Sequence, residues 1–434
     1  MSISALNHIS KRICATIIVT SLLIYLLFPY EYNGKLISST LVGLTLFQIY
    51  RFYKFREYGI LFIYLFTFNY SWVIFCYYFF GDPIIIYRVE CETPNTRFHT
   101  CLYLLIFLSS MSFLINPNKE KQYVPQPRKN KFGYILCLLL AFVFIATGRT
   151  GQTIMDTGGY AESFANRESN GLFGYSLIPL SISLLYADTK KKLRAVYLLC
   201  LIFIFKDFLY GGRIDSIMLV IIVFLYKFQR KVTAFQFVGL VVIAYIVVFA
   251  LGEFRSDTSI SILGTVESTV NDVDSHSSHA GNVYYASMRI LYLIDSNILT
   301  TDMRLTSFIL YLLSIVIPYS MLPPLANLSS FMMDFYDTGG GGLAPIFYFA
   351  FLGIAGVICA GLLHGYIIKT WFNKKSYVFY YYGLLFVATT PRWYAYYPIH
   401  PFKFCVYGAL FFYVLNFINR KIVVRGRTLK DRKS

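Results

Sequence analysis

The chain has 434 residues, of which 57% are apolar and 14% charged, with a formal net charge of +17. A soluble domain carries about 45–50% apolar and about 25% charged residues, so this composition suits lipid rather than water over much of the surface. The basic excess does not point to nucleic acid, because it falls on short loops beside apolar runs and not on one exposed face among recognition elements.

Apolar runs follow one another at 13–30, 36–50, 58–80, 98–115, 132–147, 172–186, 195–210, 214–226, 235–251, 343–368, 377–389 and 401–418. About 20 helical residues cross a hydrocarbon core of about 30 Å, and these twelve runs reach or approach that length. Lysine and arginine collect in every second gap. The seven basic gaps hold 27 of the 39 basic residues against four of the 22 acidic ones, while the other gaps hold 12 basic and 18 acidic residues. Positive loops retained on the cytoplasmic face produce this alternation. It predicts an all-α, polytopic integral membrane protein of about twelve spans with both termini cytoplasmic. Nine spans occupy 1–251, a large outer loop 252–342, and three spans with a basic tail 343–434.

The first run lacks a small-residue cleavage motif and further runs follow, so no cleavable signal peptide is expected. Six of the eight cysteines lie inside apolar runs, which leaves Cys91 and Cys101 as the pair able to meet outside; no Cys/His spacing fits zinc.

Residues 195–226 must enter the bilayer, turn at Gly211 and Gly212, and return within 32 residues. Legs of about 15 residues at 1.5 Å each reach only about 22 Å, so the tip should lie below the outer surface. That places Arg213, Asp215, Lys206 and Asp207 at the depth of lipid tails, where a charge costs about 2.5–3.5 kcal/mol near the midplane. A water-filled or ligand-filled cavity is expected beside them.

The outer loop of 91 residues is too long for an ordinary connection. It contains an amphipathic stretch at 283–299 and an apolar run at 308–322 ending in Pro323 and Pro324, read as interfacial or re-entrant.

Nine of the 12 outer basic residues are arginine, against 10 of 27 on the inner side. A planar guanidinium fork suits phosphate or carboxylate, so the bias favours an anionic outer ligand; the alternative is pairing with the 18 outer carboxylates. Arg149, Arg213, Arg255 and Arg392 stand where a helix meets the outer surface and are candidates for a common pocket. Arg167 belongs to an outer loop.

For acid or base work the outer side offers His276, His279, His400, Glu253, Asp334 and Asp337. His276 and His279 also fit an adventitious metal, or a solvated polar loop. His364 is expected to be a packing residue. Gly339 to Gly342 either present amides to an anion at a helix N-terminus or form a flexible joint. Gly361 and Gly365 form a GxxxG pair, which implies close helix packing. No GxxxxGK[ST] motif is present, which disfavours an ATP-driven pump.

Gly211-Gly-Arg213 opening a helix, Gly252-Glu-Phe-Arg255 closing the next, one long outer loop, and Gly339-Gly-Gly-Gly-Leu-Ala-Pro345 leading into Phe351-Leu-Gly-Ile-Ala-Gly356 resemble the bacterial O-antigen and oligosaccharide repeat-unit polymerases, the Wzy type. The resemblance implies an inner-membrane glycosyltransferase. It would move a growing polysaccharide from undecaprenyl pyrophosphate to a new lipid-linked repeat unit on the periplasmic side. Arg213 and Arg255 would hold the leaving pyrophosphate, Arg149, Arg167, Arg392 and Asp215 would bind the lipid-linked substrates, and His279 or Glu253 would activate the acceptor hydroxyl. No metal or cofactor is implied; a chain-length regulator and a flippase are the implied partners. A lipid-linked oligosaccharide flippase, another secondary transporter, and an O-antigen ligase are the competing expectations.

Overall fold

The computed structural model describes residues 3–27, 33–80, 93–116, 129–157, 167–169, 171–229, 231–256, 279–336, 341–373 and 376–431. The chain is a helical, membrane-embedded protein. Among the described residues, four helices are long and apolar enough to cross a membrane: Ser4–Leu27, Tyr58–Phe80, Pro94–Leu114 and Ala344–Trp371. Apolar side chains such as Leu26, Phe205 and Ile243 lie exposed on helix surfaces, as lipid-facing residues do.

The helices are α1 (Ile3–Leu27), α2 (Gly34–Phe55), α3 (Tyr58–Phe80), α4 (Pro94–Leu114), α5 (Lys131–Thr147), α6 (Ile154–Thr157), α7 (Leu172–Tyr175), α8 (Leu177–Tyr186), α9 (Lys190–Leu209), α10 (Ile214–Val223), α11 (Ala234–Ser256), α12 (His279–Asp295), α13 (Thr301–Ser314), α14 (Leu328–Met333), α15 (Ala344–Asn373), α16 (Tyr377–Ala388), α17 (Thr390–Ala395) and α18 (Phe404–Asp431). A π-helical turn, Phe224–Phe228, follows α10. The all-α expectation is met, with one short β ladder among the described residues. Strand β1 (Arg149–Gly151) pairs antiparallel with β2 (Arg167–Ser169), with Arg149 opposite Ser169 and Gly151 opposite Arg167.

The chain divides into two compact units, each made of separate segments. In the first (1–122, 274–374 and 389–403), α4 is the central helix and packs against α1, α2, α12 and α15. Thr93 and Thr96 cap its start reciprocally, with Pro94 in the first turn where no donor is lost. Its small residues Ser109, Ser110 and Ser112 are buried. Added methyl groups at Gly361 and Gly365 would collide with the α4 backbone at Phe107 and Met111, so the GxxxG pair is where α15 and α4 touch. At the end of α2, Arg51 is fully buried. All five of its N–H groups are used: Asn7 Oδ1 twice, Ser10 Oγ, Gln48 Oε1 and the Ile115 carbonyl accept them at 2.7–3.2 Å.

Helix α15 is interrupted. Leu352 leaves helical geometry and Gly353 adopts φ 64°, ψ −156°, a region open essentially to glycine. The carbonyls of Phe349 and Ala350, released by the break, accept from Arg304 of α13 at 2.9 and 2.7 Å. Helix α13 has 14 residues, about 21 Å at 1.5 Å per residue, which is shorter than the hydrocarbon core. His364 lies among Phe107, Tyr348 and Trp393 and is fully buried. Cys101 is a buried free thiol within α4, so it is not an outer disulfide partner; Cys91 lies outside the described residues.

The second unit (123–273, 375–388 and 404–434) groups α5 with α7, α8 and α18, and α10 with α9, α8 and α16. Tyr381 of α16 bonds to Ser181 and to the Ile178 carbonyl of α8 at 2.7 and 3.1 Å.

Candidate functional site

The polar centre of the second unit forms where α5 ends and the α9–α10 hairpin turns. Helix α5 stops at Gly148, and β1 begins with Arg149, which is 8% exposed. Gly211 turns the chain with φ 68°, and the Gly212 N–H donates to the Asp207 carbonyl at 2.8 Å. A Cβ at Gly212 would run into Asp207 Oδ1 and Arg149 Nη1. The first glycine is therefore required by backbone geometry and the second by space.

Asp207, fully buried, pairs through Oδ1 with Arg149 Nη1. Its Oδ2 accepts from the Ser216 N–H and hydroxyl at 3.0 and 2.7 Å. Arg149 Nη2 donates to Asp215 Oδ2 at 3.1 Å. The guanidinium lies 4.1 Å from the Phe173 ring centroid, and Phe173 stacks on Phe203. Lys206 Nζ donates to the Ile145 and Ala146 carbonyls at 2.7 and 2.9 Å, which covers acceptors left open at the end of α5. Past β1, the Thr153 N–H and hydroxyl both donate to Asp156 Oδ2 at 2.7 Å, and these bonds hold the Asp156 carboxyl below its usual range.

The hairpin charges thus depart from one expectation. Asp207 and Asp215 face Arg149, and Lys206 faces the end of α5, rather than a wet cavity. Burial makes pairing the way to carry such charges. Both arms of Arg149 are engaged by carboxylates, so Arg149 and Asp215 belong to this internal network. Arg213 immediately precedes α10 and is half-buried. Arg167 lies across the β ladder from Gly151; its side chain is outside the described residues.

Glu253 and Arg255 lie in the last turns of α11 and His279 opens α12, with side chains also outside the description. His276, Asp337, Gly339 and Gly340 lie outside the described residues altogether. Arg392 belongs to α17 of the first unit, 5.6 Å from the Tyr396 ring centroid. Of the other acid or base candidates, His400 is half-buried and Asp334 exposed.

The described part of the glycine run is not an anion cradle. The Gly341 N–H donates to Ser329 Oγ at 2.6 Å, Gly342 to the Ala395 carbonyl at 3.4 Å, and Leu343 to Ser287 Oγ at 2.8 Å. Those amides are consumed in docking the start of α15. Among the described residues no cluster of three or more His, Cys, Asp or Glu side chains could hold a metal ion.

Sequence reasoning missed Ser216, Phe173, and the role of Arg304. Ser216 follows Asp215 directly beyond the glycine turn, a local signal that could have found it. Phe173 carries no such signal, since one phenylalanine among 41 looks like the rest. No protein-family profile, curated protein or solved structure matches this chain.

Proposed function

We propose that this chain is a membrane glycosyltransferase of the repeat-unit polymerase kind, with about twelve spans, both termini in the bacterial cytoplasm and its reaction on the periplasmic face of the inner membrane. The acceptor sugar hydroxyl attacks the anomeric carbon of the glycan carried on undecaprenyl pyrophosphate. The carbon–oxygen bond to pyrophosphate breaks, the leaving pyrophosphate takes the electron pair, and a base takes the hydroxyl proton. Glu253, in the same unit as Arg213, is assigned as that base.

The observation that carries this reading is the support beneath Arg213. The Arg149–Asp207–Asp215–Ser216 network braces the Gly211–Gly212 turn, and that turn delivers Arg213 to the N-terminus of α10. A guanidinium fork at a helix N-terminus suits the charge that develops on a departing pyrophosphate. Arg255 is assigned to the same phosphates, and Arg167 to the lipid-linked substrates.

The break in α15 favours a second reading. Discontinuous helices mark transporter sites because their open ends bind substrate or ions. Here Arg304 already takes two of the released carbonyls, which weakens that use of the break and leaves polymerisation ahead of a flippase.

The test is complementation of a bacterial strain lacking its repeat-unit polymerase. Wild type should restore long, banded polysaccharide, and Arg213→Lys, which keeps charge and loses the fork, should lower the yield at least tenfold at equal protein level. Translocation of single units without elongation would favour the flippase; unchanged polymer from Arg213→Lys would remove Arg213 from the mechanism.

A further inference from the structure

Three arginines are buried among the described residues: Arg51, Arg149 and Arg289. The first gives all five N–H groups to acceptors, and the second forks between two carboxylates. Arg289 is 6% exposed, yet its guanidinium has neither a hydrogen bond nor an ion pair to any described residue. It lies 5.7 Å from the ring centroid of Tyr336, just past α14.

A cation over an aromatic face recovers only part of what burial costs a charge. A bound anion would supply the rest of the compensation. Among the described residues no carboxylate pairs with it: Asp295, at the end of α12, accepts from Asn95 at 2.7 Å, and Asp334 is exposed.

We propose that Arg289 is the binding residue for a phosphate oxyanion, borne by a lipid or free in solution, that enters between α12 and the segment after α14. A guanidinium fork matches two phosphate oxygens. Helix α12 packs on α3, α4 and α15, which include three of the four helices long enough to span a membrane, and phosphate is the anion that lipids bring to the ends of such helices. The assignment stands whichever reaction the chain performs.

The test uses full-length protein in detergent, titrated with inorganic pyrophosphate while thermal unfolding is followed, and the same protein in phosphatidylcholine nanodiscs with and without a polyprenyl phosphate. Wild type should melt higher with at least one probe. Arg289→Met should weaken that response at least tenfold, and Arg289→Lys should weaken it less. A response to pyrophosphate in detergent assigns a soluble ligand, and a response confined to nanodiscs assigns a lipid.

Without ligand, Arg289→Met should melt no lower than wild type, because it removes an uncompensated charge. A methionine variant that melts much lower or does not fold would mean that the guanidinium is already paired inside the protein, and would overturn the proposal. So would equal responses from wild type and either variant, or no wild-type response to either probe.

Discussion

Arg149 answers to two carboxylates at once, Asp207 and Asp215. Removing one partner of a buried ion pair costs about 3–5 kcal/mol because a charge is left behind, whereas removing all partners together is often close to neutral. Arg149→Met should therefore destabilise the protein by about 3–5 kcal/mol, and adding Asp207→Leu and Asp215→Leu should recover most of the loss. Thermal unfolding of the purified variants would measure both. A single variant within about 0.5 kcal/mol of wild type, as for an ordinary surface site, would show that the pairing carries little. Part of this site is legible in the sequence: charges flanking a double glycine inside an apolar hairpin announce a buried polar centre. The partners are not, since Arg149 stands 58 residues from Asp207 and only folding joins them. Arg289 was indistinguishable from eight other outer arginines, because burial without a partner is a property of packing.

At the level of elements, most apolar runs became helices near their expected places, because a continuous apolar run leaves the backbone no good alternative to its own hydrogen bonds in lipid. The break in α15 was hidden by the same uniformity, since residues on both sides are apolar and nothing local marks Leu352. Run 172–186 splits into α7 and α8 at Ser176, and the run at 308–322 yields only the end of α13 before Pro318. The β pairing joins strands 16 residues apart, beyond the reach of local pattern. The break carries its own prediction. No atom lies within 4 Å of a Cβ added to Gly353, so Gly353→Ala costs backbone strain alone, about 1–3 kcal/mol. Arg304→Met leaves two carbonyls without their charged donor, at about 1.5–3 kcal/mol. Chemical unfolding in detergent would compare them. If Gly353→Ala matched wild type, the break would not be a fixed feature of α15.

At the scale of the molecule, four helices among the described residues are long and apolar enough to span, while the alternation of charge calls for about twelve. The two counts place the same loops on opposite sides. With a cytoplasmic N-terminus, four spans at Ser4–Leu27, Tyr58–Phe80, Pro94–Leu114 and Ala344–Trp371 would put everything from 115 to 343 outside, including Lys190, Lys191, Lys192 and Arg194. Twelve spans keep that cluster inside and put 252–342 outside. Short helices are no objection to the larger number, since local thinning of the bilayer and burial against neighbours accommodate them, and four closely spaced basic residues oppose translocation. Alkaline phosphatase, active only outside the cytoplasm, should therefore be inactive when fused after Lys191 and active when fused after residue 260. Activity at both positions would return the chain to four spans, and would move the Gly211–Arg213 turn away from the hairpin tip on which the polymerase reading depends.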